Sequence, residues 1–177
     1  MTNYLYHRVH PDMQGQTLYP LNRLKDKYPK VYETRKEKYL GREYLLNLKI
    51  ETLECLWNDV LFLSPVHPKK IKKALIEAGR KKDFNEKYYQ IDTNDLDIEK
   101  IAIYSYPKKV KNFSLSSKDF IDYSPEEIAR HNFVPEATKQ YYEESYNNGE
   151  RPLPYVGIPH ILYKDTIDVS NVPIVSA

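Results

Sequence analysis

Asn3-Tyr4-Leu5-Tyr6-His7-Arg8-Val9 alternates bulky and polar side chains, and Pro11 ends the run. A period of two puts neighbouring side chains on opposite faces of a strand, so this stretch reads as a short β-strand with His7 and Arg8 on opposite faces of its end. A polar loop with Gly15 follows. Across residues 18–48 apolar side chains recur at helical intervals, with Leu21, Leu24 and Tyr28 on one stripe and Tyr44, Leu45 and Leu48 on another. Pro29 and Gly41 divide this region into two or three short helices.

Further along, Val60-Leu61-Phe62-Leu63 is an unbroken apolar run of the kind buried on both faces of a sheet, and Pro65 ends it. His67-Pro68 then opens a helix with Pro68 in the first turn, Ile71, Leu75 and Ala78 on its inner face, Lys69, Lys70, Lys72 and Lys73 on the others, and Gly79 as its stop. Residues 88–92 and 100–106 read as strands that pair through the Asn94-Asp95 turn; Ile101, Ile103 and Ser105 share one side of the second, Ala102, Tyr104 and Tyr106 the other. Ser124-Pro125-Glu126-Glu127 has the form of a capping box at the start of a helix running to about Asn132. A second helix spans residues 135–147, with Gly149 as its exit. The remaining sequence, residues 158–164 and then 168–175, reads as two short strands with a turn between. Residues 108–117, rich in Lys and Ser, read as a mobile loop. The pattern predicts an α+β fold.

A length of 177 residues suits a single domain over 1–177. With 41% hydrophobic and 29% charged residues the chain can bury enough apolar surface to offset its ordering entropy. Seventeen Tyr and 12 Pro against 5 Gly favour ring-lined pockets and rigid loops over flexible hinges. A net charge of +2, from 27 basic and 25 acidic side chains, supplies no overall field to hold nucleic acid or membrane. No apolar run approaches the roughly 20 residues of a spanning helix. The lone Cys55 forms no internal disulfide and reads as a small buried hydrophobe; with no apolar leader in the first thirty residues, a soluble protein of the reducing cytoplasm is expected.

Imidazole titrates near neutral pH without help, so the five histidines are the first candidates for chemistry. His7 and His10 flank Arg8, His67 sits at a strand-to-helix junction, His131 ends a helix where it is expected to be exposed, and His160 lies in the last strand region. The closest pair, His7-x-x-His10, has no neighbouring Cys or paired carboxylates, so no metal site is expected. The glycines form no phosphate-cradling loop, and there is no Gly-x-Ser-x-Gly elbow, which sets aside P-loop, dinucleotide-fold and α/β-hydrolase chemistry.

Tyr6-His7-Arg8-Val9 resembles the Tyr-His-x-Thr first strand of the ADP-ribosyltransferase superfamily, whose histidine holds a ribose of NAD. Similar in order are the helical segment after that strand, the strand ending in Ser64-Pro65, the strand over residues 88–92 and the closing strand Pro159-His160-Ile161-Leu162-Tyr163. The closing strand looks most like that of DarT-type enzymes acting on DNA bases, where a glutamate is catalytic; here His160 takes that place. Members resembling RNA 2′-phosphotransferases use His and Arg residues without such a glutamate. The resemblance implies a split, mainly antiparallel sheet with helices inserted after the first strand and near the C-terminal part, and a transferase that binds NAD or a related nucleotide and passes ADP-ribose to a nucleic-acid or protein acceptor. In it His7 and Arg8 would anchor ribose and phosphate, Tyr19 would face the nicotinamide or base, Ser64 and His67 would finish the cleft wall, and His7 and His160 would be the catalytic pair. The bland alternatives are a satisfied strand-end His7, a surface Arg8, a packing His160 and core places for Tyr6 and Tyr19. The rival reading is a non-enzymatic module whose tyrosines and lysines 69–73 contact nucleic acid or a protein.

Overall fold

The computed structural model describes residues 3–81, 84–106 and 115–177. The strand read from residues 3–9 is β1 (Tyr4–Arg8), and a two-residue strand β2 (Thr17–Leu18) follows the loop. The region of helical periodicity forms α1 (Leu21–Lys27) and α2 (Pro29–Lys36), broken at Pro29 as expected, and then two 3-10 turns, Glu37–Tyr39 and Glu43–Asn47. A small hairpin of β3 (Lys49–Ile50) and β4 (Cys55–Leu56) leads to β5 (Leu61–Leu63) and α3 (Pro68–Glu77). Next come β6 (Lys87–Asp92), β7 (Ile101–Tyr104) and β8 (Phe120–Ile121), then α4 (Pro125–Arg130) and α5 (Glu136–Asn147). The chain closes with β9 (His160–Tyr163), β10 (Ile167–Asp168) and β11 (Ile174–Ser176).

The pairing is antiparallel throughout, in two principal sheets: β1-β6-β11 and β5-β9-β7-β8. An isolated bridge joins them, with Tyr6 N–H donating to the Ser64 carbonyl and Ser64 N–H to the Tyr6 carbonyl, both at 2.9 Å. The architecture is α+β with a split, mainly antiparallel sheet. The expected hairpin between the strands at 88–92 and 100–106 does not form. β6 pairs with β1 and β11, whereas β7 pairs with β8 and β9. Two 3-10 turns, Thr93–Asp95 and Ile98–Lys100, capped by the Asp92 and Asp97 carboxylates and pinned by buried Leu96, carry the chain from one sheet to the other. The end of the chain makes three short strands where two were expected, because residues 167–168 leave to pair with β2 before β11 joins β6.

Alternation along the strands explains the packing. Ile101, Ile103, Leu61, Leu63 and Ile161 meet Leu5, Tyr89 and Ile91 of the other sheet in a shared core. Ala102, Tyr104 and Leu162 turn the opposite way, onto α1, α2 and the turns around Trp57. Strand β9 lies between β5 and β7, and Ile161 and Leu162 are both fully buried, which is why Ile158-Pro159-His160-Ile161-Leu162 is so apolar. A third cluster ties Ile71, Ala74 and Leu75 of α3 to Tyr142 of α5, Val66 and Ile158.

Helix ends follow local chemistry. Ser124 Oγ accepts from Glu127 N–H at 3.1 Å, while the Glu127 carboxylate pairs with Arg130, so the reciprocal half of the expected box is replaced by a side-chain pair. His131 is half-buried rather than exposed, with its Nε2 3.5 Å from Glu127. Cys55 is buried and its thiol is pushed up to about 11 by burial, consistent with a packing role. Residues 108–114 of the Lys- and Ser-rich stretch lie outside the described residues. Among the described residues, no helix is long and apolar enough to cross a membrane.

Because Leu162 is buried in the strand at the centre of its sheet, Leu162→Ala should cost about 2–5 kcal/mol of stability, read as a lowered urea midpoint.

Candidate functional site

The bridge between the sheets sets the position of His7. With Tyr6 opposite Ser64, the His7 ring reaches the β5 backbone, and its Nδ1–H donates to the Phe62 carbonyl at 3.0 Å. Burial lowers the His7 pKa from 6.5 to about 4, with Arg35 and Lys38 opposing its charge as well, although the Phe62 carbonyl favours it. His7 is therefore a neutral imidazole at pH 7, with its proton on Nδ1 and the Nε2 lone pair available as an acceptor. His10 stands beside it, ring centroids 5.9 Å apart, and is likewise held near 4 by burial, Arg35 and His7.

These two imidazoles line a cleft between α1, α2 and the strap of residues 9–16 that connects β1 to β2. Tyr19, Tyr28, Gln14 and Arg35 complete its polar wall. Tyr19 and Tyr28 meet edge to face at 6.1 Å. The enclosed part of the cleft is about 20 Å³, room for about one water. Across its rim, Arg35 clamps Asp12 with two hydrogen bonds, Nη2 to Oδ1 at 2.7 Å and Nε to Oδ2 at 3.2 Å, which holds the Asp12 carboxyl below its usual range.

The structure brings His7 and Tyr19 to this cleft and puts the other expected site residues elsewhere. Arg8 leaves β1 on the opposite face and pairs with Glu86 at 3.0 Å. Ser64 is buried in an internal turn, its Oγ accepting from Val66 N–H at 3.1 Å. His67 caps α3 by accepting from Lys69 N–H at 3.1 Å, and its ring meets Tyr6 edge-on at 4.9 Å.

His160 opens β9 within a box of rings. Tyr106 stacks on it at 4.8 Å and 11°, while Phe62, Tyr104 and Tyr155 approach edge-on at 6.2 to 6.4 Å. Its Nδ1–H donates to the Ile158 carbonyl at 3.0 Å, and burial brings its pKa to about 4, so it too presents a neutral Nε2. Tyr106 holds a left-handed backbone, φ 48°, uncommon for a residue with a side chain. Phe62 touches both histidines, its carbonyl bonded to His7 and its ring facing His160. A second thread runs from Arg8 through Glu86 to the Tyr88 hydroxyl at 3.0 Å, then to the Tyr155 hydroxyl at 3.4 Å, whose ring faces His160.

Arg35 and Tyr28 carried no signal as single letters. Their spacing did: Tyr28, Val31 and Arg35 continue the stripe begun by Leu21 and Leu24, so whatever that stripe faced would meet a guanidinium at its end. A larger open hollow near Arg23, Lys100 and Asp165, about 510 Å³, has its charges paired within the wall, Asp165 taking Arg23 at 2.9 Å and Lys100 at 2.7 Å. No family model, curated protein or solved structure matches this chain.

The unfolded chain takes up protons on His7, His10 and His160 near pH 6.5, whereas the folded protein refuses them down to about 4. Stability should therefore be full above pH 6.5 and fall as pH drops toward 4. Urea midpoints at pH 7 and pH 5 measure the slope, and His160→Phe should flatten it; an unchanged slope in that variant would mean the ring is protonated freely in the native state.

Proposed function

We propose that this chain is an ADP-ribosyltransferase-like domain whose His7 cleft takes NAD or a related nucleotide. The observation that carries the reading is the convergence of His7 and Tyr19, from β1 and from the segment after β2, on one cleft beside the bridge between the sheets. The Tyr6-His7-Arg8-Val9 strand supports it by its resemblance to the superfamily's ribose-binding strand. A neutral His7 with an accepting Nε2 suits a ribose hydroxyl, which donates to it. Tyr19 and Tyr28 offer faces to a flat pyridine or base.

In such a reaction the bond between the ribose carbon and the nicotinamide nitrogen breaks and nicotinamide leaves. The acceptor's nucleophile then bonds to that carbon and loses its proton. His160 stands where the resemblance expects a carboxylate, but it lies among rings outside the His7 cleft and offers the ribosyl cation no negative charge, so the proton passes to solvent. The acceptor class, nucleic acid or protein, is left to the assay. Arg8, paired with Glu86 on the other face, is better assigned to the thread behind His160 than to ligand phosphate. The rival module reading leans on the lysines of α3, but Lys70 donates to the Asn132 carbonyl at 2.7 Å, Lys72 to the Phe84 carbonyl at 2.6 Å, and Lys73 faces Glu77.

Incubation with labelled NAD, followed by chromatography for free nicotinamide and by gel or filter capture of labelled DNA, RNA and protein, tests the proposal. His7→Ala should weaken NAD binding by about tenfold, the loss of one hydrogen bond to the ribose. If the wild-type protein neither binds NAD nor releases nicotinamide, the reading is wrong; salt-sensitive binding of single-stranded DNA or RNA without any NAD response would install the module in its place.

A further inference from the structure

Arg35 is the one guanidinium among the described residues of the cleft wall, and its Nε/Nη2 edge is already engaged. Asp12 offers it two carboxylate oxygens at 2.7 and 3.2 Å, the arrangement in which a phosphate group also meets arginine. Asp12 belongs to the strap, not to the scaffold. The strap is also held where Val9 N–H donates to the Lys87 carbonyl at 2.8 Å and where Val9 and Met13 pack against the core. The Tyr89 hydroxyl donates to Met13 Sδ at 3.1 Å, Met13 N–H to the His10 carbonyl at 3.1 Å, and Val169 N–H to the Gln16 carbonyl at 2.8 Å. Gly15 takes a left-handed turn, φ 71°, with the Tyr28 hydroxyl 3.0 Å from where a Cβ would stand.

The charges around the clamp are unequal. Arg35 and Lys38 both act on His7, and Arg42 acts on Lys38 and donates to its carbonyl at 2.7 Å. Asp12 is the carboxylate that answers Arg35, so withdrawing it leaves a positive rim around two neutral imidazoles. The cleft, with room for about one water, must also open before it admits anything larger.

We propose that Arg35 is the receptor for a phosphate oxyanion of the ligand and that Asp12 is its internal competitor, so that phosphate binding displaces Asp12 and frees the strap over the cleft. This rests on reading the cleft as a nucleotide site. The resting protein is then self-occupied: a ligand without a strong oxyanion has nothing to exchange for Asp12, which selects for phosphate-bearing ligands over free nucleosides.

Calorimetric titration of inorganic pyrophosphate and of ADP-ribose into the wild type, Asp12→Asn, Arg35→Gln and the double variant tests the clamp. Asp12→Asn should bind pyrophosphate about fivefold tighter or more, Arg35→Gln should lose binding, and the double variant should show no gain. Hydrogen exchange on the wild type needs no substitution: saturating pyrophosphate should speed exchange at the Met13 amide, where simple coverage would slow it. Equal affinity in Asp12→Asn and wild type, retained binding in Arg35→Gln, or a protected Met13 amide would overturn the proposal. A gain in Asp12→Asn from a protein that releases no nicotinamide would keep the clamp and remove the transferase reading; NAD turnover with Asp12→Asn indistinguishable from wild type would do the reverse.

Discussion

Two main-chain hydrogen bonds between Tyr6 and Ser64 hold the register of the whole cleft. On either side of that bridge the strands belong to different sheets, β1 to the three-stranded one and β5 to the four-stranded one. Since side chains alternate, a slip of one residue would turn His7 away from the cleft and bring Tyr6 or Arg8 into it. The bridge also places the Phe62 carbonyl where the His7 ring can bond it, and that bond fixes the tautomer. Beside that bridge the strap, β2 and the two helices bring Tyr19, Tyr28 and Arg35 to the His7 cleft.

His7 and His160 are treated alike by the fold. Each gives its Nδ1 proton to a main-chain carbonyl, each is kept neutral by burial, and each touches Phe62, one through its carbonyl and the other through its ring. Main-chain carbonyls move little, so the rings cannot rotate without losing a buried bond. The two differ in company: His7 has cations nearby and an open edge, while His160 is boxed by tyrosines and a phenylalanine.

Much of the scaffold was legible because it rests on local rules. Proline and glycine positions marked the breaks at Pro29, Pro65, Pro68 and Gly149, and alternation in residues 101–106 sorted Ile101 and Ile103 from Ala102 and Tyr104, as the two cores confirm. Pairing was less legible. Residues 88–92 and 100–106 look like a hairpin because they are neighbours in sequence, yet β6 finds better partners in β1 and β11, both distant along the chain. Turn residues say that a chain bends, not which edge it meets next. At the site, strand parity gave opposite faces for His7 and Arg8 correctly, but nothing local told that Glu86 awaited Arg8 or that Asp12 would reach Arg35, since both pairings depend on the tertiary path.

The tyrosine count shows how composition can mislead and then be explained. Seventeen tyrosines invite a picture of sticky aromatic surface, but many are buried and their hydroxyls have internal work. Tyr39 donates to Asn58 at 2.6 Å, Tyr142 to the Pro154 carbonyl, and Tyr88 to Glu86, while Tyr141 accepts from Leu153 N–H at 3.1 Å. Short strands and single-turn helices leave many backbone and side-chain groups that regular ladders would have paired. A ring with a polar tip fills apolar volume and satisfies such a group in one residue, which phenylalanine cannot do. In a fold of two small sheets stitched by turns, tyrosine thus serves at once as core filler and as hydrogen-bond partner.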